Sequence, residues 1–534
     1  MITTRYFNTE GCCRPELHYM VPLDDRLETI RTRYVERGKY FVINRGRQYG
    51  KTTTLMALAD YLRDDYTVIP MDFQLMSTAS FQDEPTFVRS FIRYLEELVL
   101  DEENLADLAR NANYPQLTTL CEQDRPSMDE MFRCFSRICR ASSKPVILMI
   151  DEVDSASNNQ VFIDFLAQLR GYYLARDRRP TFLSVILAGV YDIKNLKSKI
   201  RPDSDHQYNS PWNIAADFDV CMHFSSEQIE TMLAEYESDH QTGIVIPPVA
   251  DEIYQYTAGY PYLVSAICKI MDETLSLQSA LADSESIWSI SGVREAVKIL
   301  LKTRTTLFDS LIKHISEYPD MKQMLYTMLL HGEQIAYNED NHTIELAYMF
   351  GYVTNNGSNI KVSNRIFETR LYNLFLSEEE LSNMMSKLAK QEINQFVSGS
   401  KLNMERILQK FTESFHDIYG ENSEHFVEDY GRKFFLLYLR PIINGTGNYY
   451  IEAQTRDARR TDIIVDYAGE QFIIEMKIWH GNEYNERGEQ QLVDYLDYFH
   501  QDKGYLLSFN FNKKKTVGLK TITIGSKTIV EAVV

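Results

Sequence analysis

Asn44-Arg-Gly-Arg-Gln-Tyr-Gly-Lys-Thr-Thr-Thr54 lies between an apolar run, Tyr40 to Ile43, and a helix-patterned stretch, Leu55 to Leu62. That order reads as a strand, a glycine-containing loop, and a helix with Lys51 and Thr52 at its start. Such a junction suits a nucleoside triphosphate. Backbone N–H groups and the helix N-terminus cradle phosphates, the lysine reaches the β and γ oxygens, and the threonine hydroxyl ligates Mg²⁺. The residues expected around the phosphates are Gly46, Arg47, Gln48, Tyr49, Gly50, Lys51, Thr52 and Thr53. The pattern is imperfect, because the position of the usual first glycine is Arg45 and Gly46 is displaced by one. Taken alone, the string also suits an ordinary turn with a basic helix start.

A second stretch narrows the choice. Val146-Ile-Leu-Met-Ile150 leads into Asp151-Glu152-Val-Asp154, five apolar residues that end in acids. A buried parallel strand reads this way and delivers its carboxylates to the C-terminal edge of a sheet. In that setting Asp151 is expected to orient Mg²⁺ and Glu152 to polarise the attacking water. Further strands are expected at Val68–Phe73 and Thr181–Gly189, alternating with helices, so the core is an open, mostly parallel α/β sheet. The last of these strands ends Ala-Gly-Val-Tyr191-Asp192, without a clear polar sensor. Arg176, Arg178 and Arg179 precede it and read as a solvated loop more readily than as arginine fingers.

Composition bounds the rest. At 534 residues the chain exceeds one ordinary domain, and 34 Tyr with 27 Phe supply ample core. A formal charge of −20 argues against a protein built mainly to coat nucleic acid. No apolar stretch reaches the length of a membrane span, and the start has no signal-peptide core. Seven scattered cysteines without CxxC spacing read as reduced thiols, so a cytoplasmic protein without zinc or membrane contact is expected.

Residues 225–300 read as a helical lid. Helical patterns at Phe308–Glu317, Met321–Leu330 and Ile344–Phe350 precede two short strands around Asn355-Asn-Gly357, and a helix follows from Asn364 to Leu376. Helices followed by a β-wing suggest a winged helix. Its wing is not basic, which favours packing over duplex binding. Ser377 to Ser400 reads as a helical connector.

The last segment has Arg459-Arg-Thr-Asp462-Ile-Ile-Val465, then Gln471-Phe-Ile-Ile-Glu475-Met-Lys477, a β-hairpin. Period two puts Glu475 and Lys477 on one face, and the hairpin can bring Asp462 beside Glu475. Two carboxylates beside an amine suit Mg²⁺-dependent phosphodiester hydrolysis, with the acids holding metal and Lys477 activating water. A salt-bridged pair on an edge strand is the plain alternative. Residues 401–534 carry 17 basic and 20 acidic side chains, a net −3 against −20 for the chain. This end is therefore less acidic per residue.

The set Gly46-Arg-Gln-Tyr-Gly-Lys-Thr-Thr53, Ile150-Asp-Glu-Val-Asp154, Ser210-Pro-Trp-Asn-Ile-Ala215 and Thr257-Ala-Gly-Tyr-Pro-Tyr-Leu-Val264 resembles the bacterial AAA-like ATPases related to the STAND group. The resemblance implies that Gly259 and Pro261 lie against bound nucleotide and that Val21 to Arg26 holds its adenine end. Gly-Tyr-Pro equally suits a plain turn opening a helix at Tyr262. The C-terminal order, a helix around Phe426–Tyr438, the hairpin, a helix with Gln490, and a strand Gly504–Phe509, resembles the PD-(D/E)XK nucleases. That resemblance implies metal ligation by Asp462 and Glu475, catalysis by Lys477, and supporting roles for Glu428 and Gln490. Thr461 stands where the motif's proline would be, and Arg459, Arg460 and Lys513–Lys515 are candidate phosphate contacts.

The expected architecture is an AAA-like ATPase core at 1–224, a lid at 225–300, a winged-helix-like domain at 301–378, a connector at 379–400, and an αβββαβ restriction-endonuclease-like domain at 401–534. The expected cofactors are ATP or ADP with Mg²⁺ at the first site, held by Thr52 and Asp151, and Mg²⁺ or Mn²⁺ at the second. The expected substrate is DNA, with RNA as alternative, and ATP-linked homo-oligomers fit the first resemblance. Two rival readings are a nucleotide-bound scaffold with an inactive nuclease fold, and an ATP-driven translocase that carries a nuclease.

Overall fold

The structure, a computed structural model, describes the chain except residues 1–4, 191–211, 278–286, 332, 381–383, 400, 420–427, 445, 455–459, 480–481 and 513–514. Tyr191, Asp192, Ser210, Pro211, Phe426, Val427, Arg459, Lys513 and Lys514 therefore lie outside the described residues. The chain divides into two compact units. The first comprises Met1–Ala250, Gly259–Ser289 and Met349–Gly351, and the second Asp251–Ala258, Ile290–Tyr348 and Tyr352–Val534.

In the first unit, four strands form a sheet: β1 Phe41–Asn44, β2 Thr67–Asp72, β3 Val146–Asp151 and β4 Ser184–Gly189. All pair in parallel in the order β1-β4-β3-β2. Parallel strands need both faces covered, which is why β3 is apolar through five positions and buried along its whole length. Helices Glu84–Asp101, Met128–Ala141 and Gln160–Leu174 supply phenylalanines to the main core, among them Phe87, Phe91, Phe132, Phe135 and Phe165. Trp212, from the expected Ser-Pro-Trp-Asn stretch, is fully buried in that same core. Among the described residues, the chain returns beside β1 as an isolated bridge, with Ala216 opposite Phe41. The strand expected at Thr181 begins at Ser184, three residues later.

The second unit contains helices Thr306–Glu317, Pro319–Leu330 and His342–Met349, then a hairpin of β5 Val353–Asn355 and β6 Ile360–Val362. The element order matches the sequence pattern. The following helix runs from Arg365 to Glu380, four residues beyond the expected end, because no Gly or Pro interrupts Ser377–Glu380. A small hairpin, β7 Val397–Ser398 with β8 Lys401–Leu402, closes the connector.

The remaining strands form a six-stranded sheet: β9 Gly447–Gln454, β10 Arg460–Tyr467, β11 Glu470–Ile478, β12 Lys503–Phe509, β13 Gly518–Ile524 and β14 Lys527–Val533. The order is β13-β14-β12-β11-β10-β9, so β11 and β12 are central. β9, β10 and β11 are antiparallel neighbours, whereas β11, β12 and β14 run parallel. Helix Asn482–Tyr498 connects the parallel pair β11 and β12, as a crossover requires, and packs Leu492, Tyr495 and Leu496 on Ile473 and Leu506. On helix Glu428–Ile443, Gly431 admits the Phe509 ring, which would lie 2.4 Å from an added Cβ.

Gly259 tests the first unit's packing. Its φ of +73° lies in the left-handed region, and an added Cβ would sit 1.9 Å from the Phe224 carbonyl oxygen. Gly259→Ala should cost about 2 kcal/mol or more and lower the thermal midpoint, as read by calorimetry.

Candidate functional site

The loop after β1 turns through Gln48 and Gly50, both at positive φ, and delivers Lys51 to the start of helix Lys51–Leu62. Lys51 is 7% exposed. Its ammonium donates to the carbonyls of Arg45 and Gly46, each at 3.0 Å, which engages two of its three N–H groups. Burial pulls its pKa down, and Glu152, Asp154 and Asp151 pull it back up. The ammonium thus faces the acidic edge at the end of β3.

At that edge Asp151 is buried and its carboxylate accepts from the Glu152 N–H at 2.9 Å. Glu152 adopts φ +50°, an uncommon conformation for a side-chain-bearing residue, and burial raises its pKa. Asp154 has a different task, because its carboxylate accepts from the Val190 N–H at the end of β4. Asp72, at the end of β2, stands in register with Asp151, and burial raises its pKa too. The strand pattern gave no reason to single out Asp72, since its neighbour Asp151 is 79 residues away in sequence.

The displaced glycine has a structural reason. An added Cβ at Gly46 would lie 2.4 Å from the carbonyl oxygen of Phe350, so another backbone passes there. An aromatic set surrounds the loop: Tyr49 hydrogen-bonds His223, its ring stands 4.5 Å from that of Tyr260, and it approaches Gly351. The Tyr260 hydroxyl donates to the Arg47 carbonyl at 2.5 Å. Pro261 opens its helix, with Tyr260 as the preceding cap, one residue before the expected start. In the Gly-Tyr-Pro motif it is therefore the central tyrosine that touches the loop. Thr53 accepts from the Cys13 N–H at 3.1 Å, and Thr52 lies half-buried in the first helical turn. Arg26 is half-buried and donates to the Met222 carbonyl, at the end of the stretch expected to hold adenine.

In the C-terminal sheet, Glu475 is fully buried and Lys477 lies 2.9 Å from its Oε1. The β10–β11 register ends with Ile463 opposite Ile474, the residues next in sequence to Asp462 and Glu475. The side chains of Asp462, Arg460 and Glu428 lie outside the described residues; Glu428 opens its helix. Gln490 is exposed on helix Asn482–Tyr498 and donates to Asp494 at 3.3 Å, which keeps it on the helix surface. Gly488 of this helix lies close to the lysine, where an added Cβ would be 3.3 Å from Lys477 Cγ. Sequence gave no sign of Gly488, because a helical glycine usually reads only as a weak helix former.

The other end of the hairpin is anchored. Arg365 lies over the rings of Tyr256 and Tyr450 at 4.4 and 5.4 Å, and Arg294 pairs with Glu252 at 2.8 Å. Asp466 is buried among them, accepts from Gln471 at 3.0 Å, and has its pKa raised by burial. Glu252, Tyr256, Arg294, Arg365, Tyr450 and Gln471 line a small pocket there. Among the described residues, no group of three or more His, Cys, Asp or Glu could hold a metal ion, and no helix is long and apolar enough to cross a membrane.

A parallel α/β sheet with a lysine-headed helix facing acids at its strand ends defines an AAA-like core. The profile of the AAA-like domain matches residues 24–373, and the chain belongs to that family. A Walker-type ATPase of Pyrococcus abyssi is similar at 13% identity, with 68% of this chain and 99% of that chain covered and a TM-score of 0.47. The ORC2 protein of Aeropyrum pernix, in ADPNP-ADP complexes, is 13% identical with coverages of 68% and 95% and a TM-score of 0.31. The Aeropyrum pernix ORC1 protein in complex with DNA is 14% identical, with 67% and 94% covered and a TM-score of 0.29. No curated protein matches the chain.

His223 offers a test of the loop's surroundings. Burial, with Arg45 and Arg26 nearby, lowers its pKa to about 4 from an ordinary 6.5. The unfolded chain therefore takes up this proton at a higher pH than the native one. Stability should fall as pH drops from about 6.5 toward about 4, by about 2–3 kcal/mol in total. His223→Gln should flatten that part of a plot of unfolding free energy against pH.

Proposed function

We propose that this chain is a nucleotide-driven switch that gates a metal-dependent phosphodiester hydrolase acting on DNA. The domain boundaries of this reading are those expected from sequence, with the nuclease domain at 401–534. The observation that carries it is the Glu475–Lys477 ion pair on a central strand, with Glu475 fully buried and the neighbouring strand β10 carrying Asp462. A carboxylate withdrawn completely from water on a sheet face is costly unless it serves a partner or a bound group.

In the AAA-like unit, Lys51 and the loop N–H groups bind the phosphates, Tyr260 and Pro261 border the loop, and Glu152 orients the attacking water. Thr52 and Asp151 fit a Mg²⁺ ion, being hard oxygen donors at the loop and at the strand edge. In the C-terminal domain Asp462 and Glu475 suit Mg²⁺ or Mn²⁺, and the buried, acceptor-only carboxylate of Glu475 is the kind of donor such an ion takes. A metal bound there supplies a Lewis acid and lowers the pKa of water. Lys477 pairs with Glu475 and in this reading orients water or the scissile phosphate. Glu428 and Gln490 are supporting residues in this reading. Two features favour a switch over a motor: the Phe350 backbone packed on Gly46, and the end of β4 engaged by Asp154.

Purified full-length protein, assayed on DNA with Mg²⁺ or Mn²⁺ and with ATP, ADP, a non-hydrolysable analogue or no nucleotide, tests the proposal. Cleavage should depend on nucleotide. Glu475→Ala and Lys477→Ala should each lower the rate by about 100-fold or more. Lys51→Ala should abolish nucleotide binding and the dependence on nucleotide. Cleavage that survives Glu475→Ala would move the site elsewhere. Absence of cleavage under every condition would leave the scaffold reading.

A further inference from the structure

The C-terminal edge of the first sheet gathers carboxylates from two neighbouring strands. Asp72 ends β2, Asp151 ends β3, and Glu152 and Asp154 follow in the turn after it. Asp154 is taken up by the Val190 N–H. In the parallel register Asp72 stands opposite Asp151, and residues paired in register project to the same side of a sheet. Neighbouring strands lie about 4.8 Å apart. Asp72 accordingly feels the charge of Asp151, and Glu152 feels that of Asp72. Like charges held this close repel, and a divalent cation among them relieves the repulsion.

The surrounding contacts fix where Asp72 sits. Its N–H donates to the Tyr94 hydroxyl at 3.0 Å. The Ser155 hydroxyl approaches the Phe73 carbonyl at 3.1 Å and the Glu152 carbonyl at 2.9 Å, so it ties the residue after Asp72 to the turn after Asp151. Phe73 itself is fully buried in the main core. The half-buried Asp72 also caps the short turn Phe73–Leu75, its Oδ1 accepting from the Gln74 N–H at 2.8 Å. That cap uses one of two oxygens and needs no charge, since Asn and Ser serve a cap as well.

We propose that Asp72 is a positioning residue of the nucleotide site, a second carboxylate that holds the water shell of Mg²⁺ beside Asp151. Mg²⁺ gives up its waters reluctantly and is held by one or two carboxylates together with substrate phosphates. A carboxylate on the adjacent strand suits the outer place, where it accepts hydrogen bonds from metal-bound water. The role rests on the reading above that Thr52 and Asp151 hold Mg²⁺. A residue that served only as a turn cap would leave metal binding untouched.

The test reads nucleotide affinity rather than turnover. Full-length protein is titrated with ATP carrying a fluorescent N-methylanthraniloyl group, first in EDTA and then at rising Mg²⁺. The Mg²⁺ concentration that gives half the gain in affinity is compared among variants. Asp72→Asn keeps an oxygen for the Gln74 N–H and removes the charge. It should raise the half-effective Mg²⁺ about tenfold, with affinity in EDTA and the thermal midpoint unchanged. If Asp72→Asn does not fold, Asp72→Ser, which also caps without charge, takes its place. Asp151→Asn serves as the reference for a lost metal carboxylate.

Wild-type Mg²⁺ dependence in folded Asp72→Asn, beside a shifted Asp151→Asn, overturns the role of Asp72 and leaves the metal reading of Asp151 standing. Unshifted dependence in both variants overturns both. A loss of affinity in EDTA as large as the loss in Mg²⁺ marks a distorted loop and overturns the role of Asp72 as well.

Discussion

Taking the Lys51 ammonium out of water is the constraint around which the first unit is arranged. A buried cation must be met by oxygen, and two backbone carbonyls of its own loop meet it at 3.0 Å. Those carbonyls are available only if the loop keeps a tight curvature, which Gln48 and Gly50 provide at positive φ. The curvature is defended from outside by the Tyr260 hydroxyl on Arg47 and by the Phe350 backbone at Gly46. The acidic ends of β2 and β3 then complete the electrostatic environment from the sheet side. One charge thus explains why distant segments converge on a few residues.

The C-terminal sheet answers the same demand with the opposite sign. Glu475 is the buried charge, Lys477 its counter-ion, and the central position of β11 removes both from bulk water. A central strand flanked by parallel β12 and antiparallel β10 can receive polar groups from two sides without exposing an edge. The hairpin cannot slide to relieve any mismatch. Its turn end is held by Asp466 among Arg294, Arg365 and Gln471, and a one-residue slip would exchange its faces.

Strands and helix starts were readable from the sequence where apolar periodicity and a chemical motif coincide, as at Val146–Asp151 and at Lys51. The hairpin of β10 and β11 was readable for the same reason. Contacts between remote segments were not. Nothing near Arg45–Gly46 announces Phe350, and nothing near Tyr49 announces His223, 174 residues away. The shifted glycine read as a flaw in a motif, whereas it answers a steric requirement set by another segment. Gln490 drew notice by its place in an expected order, while its neighbour Gly488 makes the close approach to the lysine. Ser508 and Glu531 did leave a trace. Each is a lone polar residue in an otherwise apolar run, Tyr505-Leu-Leu-Ser-Phe509 on β12 and Ile529-Val-Glu-Ala-Val533 on β14, and the Ser508 hydroxyl donates to Glu531. Such an isolated polar residue is a burial problem that only pairing across strands can reveal as solved.

The contact between Gly46 and Phe350 also binds two parts of the chain in heredity. The Phe350 partner is a carbonyl, so the identity of the side chain at 350 is nearly irrelevant to it, while the path of the backbone is not. Substitutions at 350 can drift without penalty at this contact, but an insertion or deletion between residues 342 and 353 would re-route that path and release the demand for glycine at 46. Among descendants of this chain, length changes in the one segment and loss of glycine in the other should therefore travel together. The nucleotide loop is in this sense edited from a place 300 residues away.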